Sequence, residues 1–272
     1  MSAENHDTVF GGSIPALYET YMVPLIFAPY AADLASRVAQ RSPARVLEIA
    51  AGTGVVTRAM ASTLPESATI VATDLNQAML DQAATVGAAR PIEWRQADAQ
   101  QLPFADGAFD VVVCQFGAMF FPDKARAFAE ARRVLRPGGV FLFSVWDRIE
   151  ECEFEDTVTA ALALVFPDDP PRFLARTPHG YHDKKAIARD LASGGFTASP
   201  SIVTLAERSR ADSPRIPAVA YCQGTILRTE IEARDPSRLE EATDAVEQAI
   251  AQRFGAGAVD GKLQAHIVTV ER

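Results

Sequence analysis

Short apolar or β-branched runs, separated by segments of helical spacing, constrain this 272-residue chain more than any other feature. The runs are Val46 to Ile49, Thr69 to Thr73, Ile92 to Trp94, Phe109 to Cys114 and Val140 to Trp146. Between them, Val56, Met60 and Leu64, then Met79 and Ala83, then Phe128, Ala131 and Leu135 recur three or four residues apart, as on one helix face. Pro65, Gly87 and Pro137-Gly138-Gly139 stop these stripes. Val111, Val112 and Val113 are continuous rather than alternating, so that strand is expected to be buried on both faces, as in a parallel sheet covered by helices on both sides. The alternation predicts an α/β fold with a doubly wound sheet.

The flanks read differently. Ser13 is expected to cap a first helix carrying Tyr18 and Tyr21, and Pro24 to begin a second helix reaching Val38, with Ser42 and Pro43 breaking it. Asn76 is expected to cap the helix that follows the second strand. The second half is less regular. Asp183 to Ser193 reads as a helix, Ser201 to Leu205 as a strand, Leu239 to Ile250 as a helix and Leu263 to Val270 as a last strand. No repeat, low-complexity block or linker divides the chain, so one domain over residues 1–272 is expected.

Composition narrows the function. With 48 % hydrophobic and 22 % charged residues, the chain has the apolar surface that a disordered one lacks. A net charge of −9 disfavours a nucleic-acid partner, because phosphate binding needs clustered Lys and Arg. Cys114, Cys152 and Cys222 are odd in number and far apart, which fits neither a disulfide framework nor a zinc cluster and points to a reducing compartment. Met1 to Thr8, with Glu4 and Asp7, lacks the pattern of a signal peptide. Met22 to Ala32 is interrupted by Pro24 and Pro29 and is too short to span a bilayer. A cytoplasmic protein without stable membrane anchoring is expected.

The chemistry-bearing stretch is Glu48-Ile-Ala-Ala-Gly52-Thr-Gly54, which joins the first strand to its helix. Glycines there let a ligand approach the backbone beside a helix N-terminus, although they also serve plain chain reversal. Asp74 ends the second strand and can accept both hydroxyls of a ribose, or simply flank the next helix. Together these features indicate an adenosine ligand. Thr57 occupies the place where a dinucleotide fingerprint has its third glycine. The carboxylate of Glu48 would repel a pyrophosphate and attract an ammonium group. Asp98, after the third strand, can accept an adenine amino group or stand as a solvated acid.

Val46-Leu-Glu-Ile-Ala-Ala-Gly-Thr-Gly54 resembles the first motif of class I S-adenosylmethionine-dependent methyltransferases. Asp98-Ala-Gln-Gln-Leu-Pro-Phe-Ala-Asp-Gly-Ala-Phe-Asp110 is similar to their stretch before the fourth strand, and Arg133-Val-Leu-Arg-Pro-Gly-Gly139 to the turn before their fifth. The resemblance covers residues 44–147 and is to the type 11 branch, which includes the quinone-biosynthesis enzymes. Ala50 departs from the glycine common there. The resemblance implies a Rossmann-like fold: a seven-stranded, mostly parallel sheet with N-terminal helices and a helical cap, its last strand antiparallel between the fifth and sixth. It implies S-adenosylmethionine as methyl donor and S-adenosylhomocysteine as product. Glu48, Ala50, Gly52 and Gly54 would hold the methionine end. Asp74 would take the ribose, Leu75 and Met79 would lie beside the adenine, and Asp98 and Ala99 would read its edge. Gln115 and Phe116 would lie near the sulfonium.

Within one domain, residues 1–43 would form a helical lid, 44–147 the cofactor core, and 148–272 the cap segments and remaining strands. The expected acceptor is a small, partly apolar metabolite, and the expected assembly a monomer or homodimer. Candidate catalytic groups are Tyr21, on the N-terminal helix, and His179 and His182, in the segment after the fifth strand. Each has a plain reading beside it: Tyr18 and Tyr21 as packing on one helix face, and the two histidines as surface groups of a polar loop. His266 reads as structural and His6 as part of a tail. A nicotinamide-dependent oxidoreductase and a non-catalytic S-adenosylmethionine-binding protein are the alternatives.

Overall fold

The computed structural model describes residues 12–272, so Glu4, His6 and Asp7 lie outside it. The apolar runs form strands β1 (Arg45–Ile49), β2 (Thr69–Asp74), β3 (Glu93–Gln96), β4 (Phe109–Gln115) and β5 (Leu135–Trp146), followed by β6 (Ser201–Ala211) and β7 (Val259–Glu271). They make one seven-stranded sheet in the order β3-β2-β1-β4-β5-β7-β6. The pairs β1–β2, β1–β4, β2–β3 and β4–β5 are parallel. β7 runs antiparallel to β5, with Phe143 opposite Val268. The expected α/β architecture and the position of the last strand are therefore observed.

The helices are α1 (Ile14–Leu17), α2 (Ala28–Ala39), α3 (Val55–Thr63), α4 (Gln77–Val86), α5 (Lys124–Val134), α6 (Glu153–Val165), α7 (Phe173–Arg176), α8 (Lys184–Ser193), α9 (Arg215–Gln223), α10 (Leu227–Arg234) and α11 (Leu239–Phe254). Among the described residues, no helix is long and apolar enough to cross a membrane.

The chain divides into two compact units, each built from separate stretches of sequence. The sheet unit comprises Ala28–Trp146, Tyr181–Leu205 and Ala265–Arg272. Its core holds Val46, Leu47, Ile70, Val71, Val111 and Val112 of the strands, with Leu34, Met60, Leu80 and Phe128 of α2 to α5, all buried. Each such side chain contributes about 1.5–3 kcal/mol on leaving water. The helical unit comprises the residues up to Phe27, Asp147–Gly180 and Ala206–Gln264. There α11 packs on α6 and α9 through buried Ala242, Val246 and Ile250.

Local expectations fail at several places, each for a physical reason. Ser13 does not cap a helix with its side chain. Its hydroxyl instead accepts from Arg228 Nη1 at 2.8 Å. Pro24 does not start a second helix, because Tyr18–Phe27 is a wide π-helical stretch joining α1 to α2 with Pro24 inside it. In an α-turn the proline ring would strike the carbonyl four residues back, and the wider turn relieves that clash. The three-residue spacing of Tyr18 and Tyr21 therefore no longer places them on one face. Tyr18 stacks on Phe27 with centroids 5.0 Å apart. Asn76 makes no side-chain cap, since its N–H and amide both turn back to Asp74. Pro137-Gly138-Gly139 lies inside β5 rather than before it, as a register break in which Phe109 pairs with Leu135 and Val111 with Val140.

Arg133 of α5 holds the loop that leads into β4. It donates to Leu102 O at 2.9 Å, Phe104 O at 2.7 Å and Asp106 at 2.8 Å, and is itself held by Glu130. Arg133→Ala should lower stability by about 2 kcal/mol, because it strips several charge-assisted hydrogen bonds at once. The check is a lower urea midpoint at unchanged slope.

Candidate active site

In a doubly wound sheet, ligands bind beyond the carboxyl ends of the strands. There the segment after β1 takes three left-handed residues, Ala50 (φ 54°), Gly52 (φ 56°) and Gly54 (φ 85°). Gly54 cannot be anything else, since a Cβ would lie 2.7 Å from Trp94 Cη2 of β3. At Gly52 a Cβ would sit 3.6 Å from Met79 Cε, so the turn lies against α4. The buried hydroxyl of Thr53, between the two glycines, has no hydrogen-bond partner among the described residues.

Two carboxylates are buried beside this turn. Glu48, on β1, is 1 % exposed and accepts a hydrogen bond from the Thr57 hydroxyl on α3. The substitution at the third fingerprint position therefore supplies a donor to a buried acid. Burial pushes the Glu48 carboxyl up to about 8, against the opposing pull of Thr57 and Arg58. Asp74, at the end of β2, accepts from Gly52 N at 2.8 Å through one oxygen and from Asn76 N at 2.8 Å through the other. Burial raises its pKa as well, against these hydrogen bonds.

Leu75, next to Asp74, is 48 % exposed, an unusual state for a leucine beside a buried acid. Ala97 N donates to Asp74 O at 2.9 Å, so the chain carrying Asp98 and Ala99 passes alongside. Asp98 is exposed, with Oδ1 accepting from Gln100 N at 2.8 Å, and Ala99 is half-buried. β4 ends in buried Gln115, opposite Ser144 of β5. Phe116 follows with φ 51°, an outlier for a bulky residue that costs about 1–3 kcal/mol. The next residue, Gly117, touches the first loop, because a Cβ there would lie 2.4 Å from Ala50 Cβ. The structure thus gathers Glu48, Ala50, Gly52, Gly54, Asp74, Met79, Gln115 and Phe116 at the ends of β1, β2 and β4.

The candidate catalytic residues stand elsewhere in the chain. Tyr21 is half-buried in the π-helical stretch, within the helical unit. His179, in the same unit, is only 3 % exposed, so it is not a surface histidine. Its Nδ1 lies 2.8 Å from the Asp147 carbonyl, an acceptor, so Nδ1 carries the proton. His182, half-buried in the sheet unit, precedes Asp183, which caps α8 by accepting from Lys185 N at 2.8 Å. His266 is buried in β7, with Nδ1 3.1 Å from Thr204 Oγ1. Sequence reasoning missed Thr53, Trp94 and Gly117. For Gly117 the signal was a glycine directly after a strand-ending Gln-Phe pair.

Comparison with known proteins now decides the family. Residues 47–143 match the model of a methyltransferase domain. The chain is 30 % identical over 169 residues to the ubiquinone/menaquinone biosynthesis C-methyltransferase UbiE of Saccharophagus degradans, covering 57 % of this chain and 68 % of that one. This chain is a class I S-adenosylmethionine-dependent methyltransferase. The methyltransferase is also 36 % identical over 155 residues to the malonyl-[acyl-carrier protein] O-methyltransferase of Geobacter sulfurreducens, covering 57 % of this chain and 56 % of that one. The YcgJ protein of Bacillus subtilis shares its fold at a TM-score of 0.56 and 17 % identity, covering 90 % of this chain and 98 % of that one. S-adenosylmethionine is therefore the methyl donor.

The buried acid of this methyltransferase makes its stability pH-dependent. With a folded pKa near 8 against 4.5 unfolded, Glu48 contributes stability that is full below pH 4.5 and is lost as pH rises to about 8, because only the folded state keeps the proton. Glu48→Gln should flatten that decline. The check is the melting temperature of both proteins, without ligand, from pH 5 to 9.

Proposed function

We propose that this enzyme methylates a small, partly apolar metabolite, with the turn after β1 and the ends of β2 and β4 holding the donor. The supporting observation is the pair of buried carboxylates, Glu48 and Asp74, flanking a glycine turn that contains an orphaned hydroxyl, Thr53. Such a turn suits a ligand with an ammonium at one end and a ribose at the other, since an ammonium favours the ionised form of Glu48 and a pyrophosphate would oppose it. In this reading Glu48 faces the ammonium, and Thr53 and the backbone from Ala50 to Gly54 take the carboxylate. Asp74 accepts from the ribose, exposed Leu75 lies under the adenine with Met79, and Asp98 and Ala99 meet its edge. Gln115 and Phe116 border the sulfonium.

When bound, S-adenosylmethionine supplies an electrophilic methyl group that an acceptor displaces in line. The enzyme's own part is alignment and exclusion of water, which account for most of the acceleration in such a transfer. His182, in the same unit as the donor turn, is the group assigned to an acceptor that must lose a proton. The names of the two relatives specify carbon in one and oxygen in the other. The methylated atom is therefore read from the product, by mass spectrometry and NMR, after a metabolite panel is screened with labelled donor. With an acceptor in hand, His182→Ala should lower kcat about 10²-fold if His182 takes the proton, and unchanged kinetics would remove it from that role.

Donor binding tests the cofactor assignment directly. At pH 7 Glu48 is largely protonated in the free protein, and pairing with an ammonium requires its ionised form. Binding of S-adenosylhomocysteine should therefore release close to one proton, and Glu48→Gln should abolish that release. Calorimetry in buffers of different ionisation enthalpy measures it. Asp74→Ala should weaken binding by about 2–4 kcal/mol through the lost charge-assisted bonds to ribose. Tight binding of NAD with no response to S-adenosylhomocysteine would overturn the assignment.

A further inference from the structure

We infer that Trp146 and Tyr30 are positioning residues for methyl transfer, acting through the left-handed backbone of Phe116; this rests on the donor site proposed above. Phe116 holds φ 51° with no glycine freedom, so something must keep it there. Its ring stacks flat on the indole of Trp146, with centroids 3.6 Å apart and planes 6° from parallel. Tyr30 closes the group edge-on, 5.3 Å from Phe116 and 5.4 Å from Trp146. The three rings are buried, and each is fixed from a different element. Trp146 ends β5, and Tyr30 stands on α2 with its hydroxyl donating to Leu205 O of β6 at 3.2 Å. The Phe116 N–H donates to Ser144 O at 3.1 Å, two residues before Trp146.

What the rings hold reaches the donor turn in one step. Gly117 follows Phe116, and the space where its Cβ would stand lies 2.4 Å from Ala50 Cβ and 2.8 Å from Cys114 Sγ. Ala50 is the other left-handed non-glycine residue of the site, at φ 54°. Two unfavourable backbone conformations, one after β1 and one after β4, are thus pressed against each other with no room between. If Phe116 relaxed, Gly117 would move, Ala50 would lose its stop, and the turn through Gly52 would shift with it. An ordinary core cluster beside a β4 end would not need a strained residue at its centre. Because in-line transfer is sensitive to displacements of about 1 Å, Trp146 and Tyr30 bear on the rate through this contact.

The test compares wild type with Trp146→Leu and Trp146→Phe, using S-adenosylhomocysteine calorimetry and, with an acceptor, steady-state kinetics. Trp146→Leu should weaken S-adenosylhomocysteine about tenfold and lower kcat about 10²-fold with little change in acceptor KM, while Trp146→Phe, which keeps a flat ring, should restore both to within about threefold of wild type. A purely structural role would lower the melting temperature and leave the dissociation constant unchanged once the protein is folded. If Trp146→Leu shows no cooperative unfolding transition, Tyr30→Leu, which removes the edge contact and the hydrogen bond to Leu205 O, is compared with Tyr30→Phe, which removes the hydrogen bond alone; about threefold weaker binding is expected in the leucine variant only. A folded leucine variant that binds S-adenosylhomocysteine as wild type does would overturn the inference. Wild type that fails to bind S-adenosylhomocysteine would overturn the donor site itself, a separate outcome.

Discussion

The carboxylate of Asp74 is the joint on which the ligand-facing end of the sheet depends. One oxygen accepts the Gly52 N–H from the turn after β1, and the other accepts the Asn76 N–H that opens α4. A single side chain thereby ties the ends of β1 and β2 together and sets where α4 begins. The tie is made in a buried place, where an anion is costly, and its raised pKa shows that the hydrogen bonds do not fully offset that cost. Structures keep such costs where a defined geometry is worth more than stability. The left-handed turn, with Met79 against Gly52, and exposed Leu75 lie on either side of this tie.

A fold of this kind hosts many chemistries, so what separates them is local. Here the separation rests on the third fingerprint position. A glycine there would let α3 approach the sheet closely and leave the turn open to phosphate. Thr57 instead donates to Glu48, a buried acid of β1.

The sheet was legible because its central strands are apolar on both faces. Val46-Leu47 and Val111 to Val113, short continuous apolar runs between helical stripes, pair in parallel as read. That Glu48 and Asp74 stand beside a glycine turn was legible from their places at the ends of the first two strands. Of the helical unit, α11 was legible from its stripe of Leu239 to Ile250, and α6 was not. In α6, Glu155 is buried at 2 % exposure while Leu164 is 84 % exposed, so the hydrophobic stripe is inverted at both ends of that helix. Caps were misread at Ser13 and Asn76 because a side-chain acceptor or donor can be claimed by a distant partner, such as Arg228, or by a carboxylate two residues back. The burial of His179, a candidate catalytic group whose plain reading was a surface histidine, was not legible because nothing in Pro178-His-Gly-Tyr shows that a backbone carbonyl 32 residues earlier in the chain would take its Nδ1 proton.

The sheet order has a consequence for how the chain acquires its structure. β7 lies between β5 and β6, although both precede it in sequence. Those two strands cannot complete the sheet by joining each other; a gap one strand wide must persist until residues 259–271 arrive. During that interval β5, with Val140 to Trp146 apolar but for Ser144, presents an unpaired edge on the side away from β4. Long-range pairing of this kind is slow to form, and an open apolar edge invites pairing with other chains meanwhile. The hazard for this protein therefore falls in the time before its final strand is seated, and conditions that delay that seating should favour aggregation over the native sheet even where the finished molecule is stable.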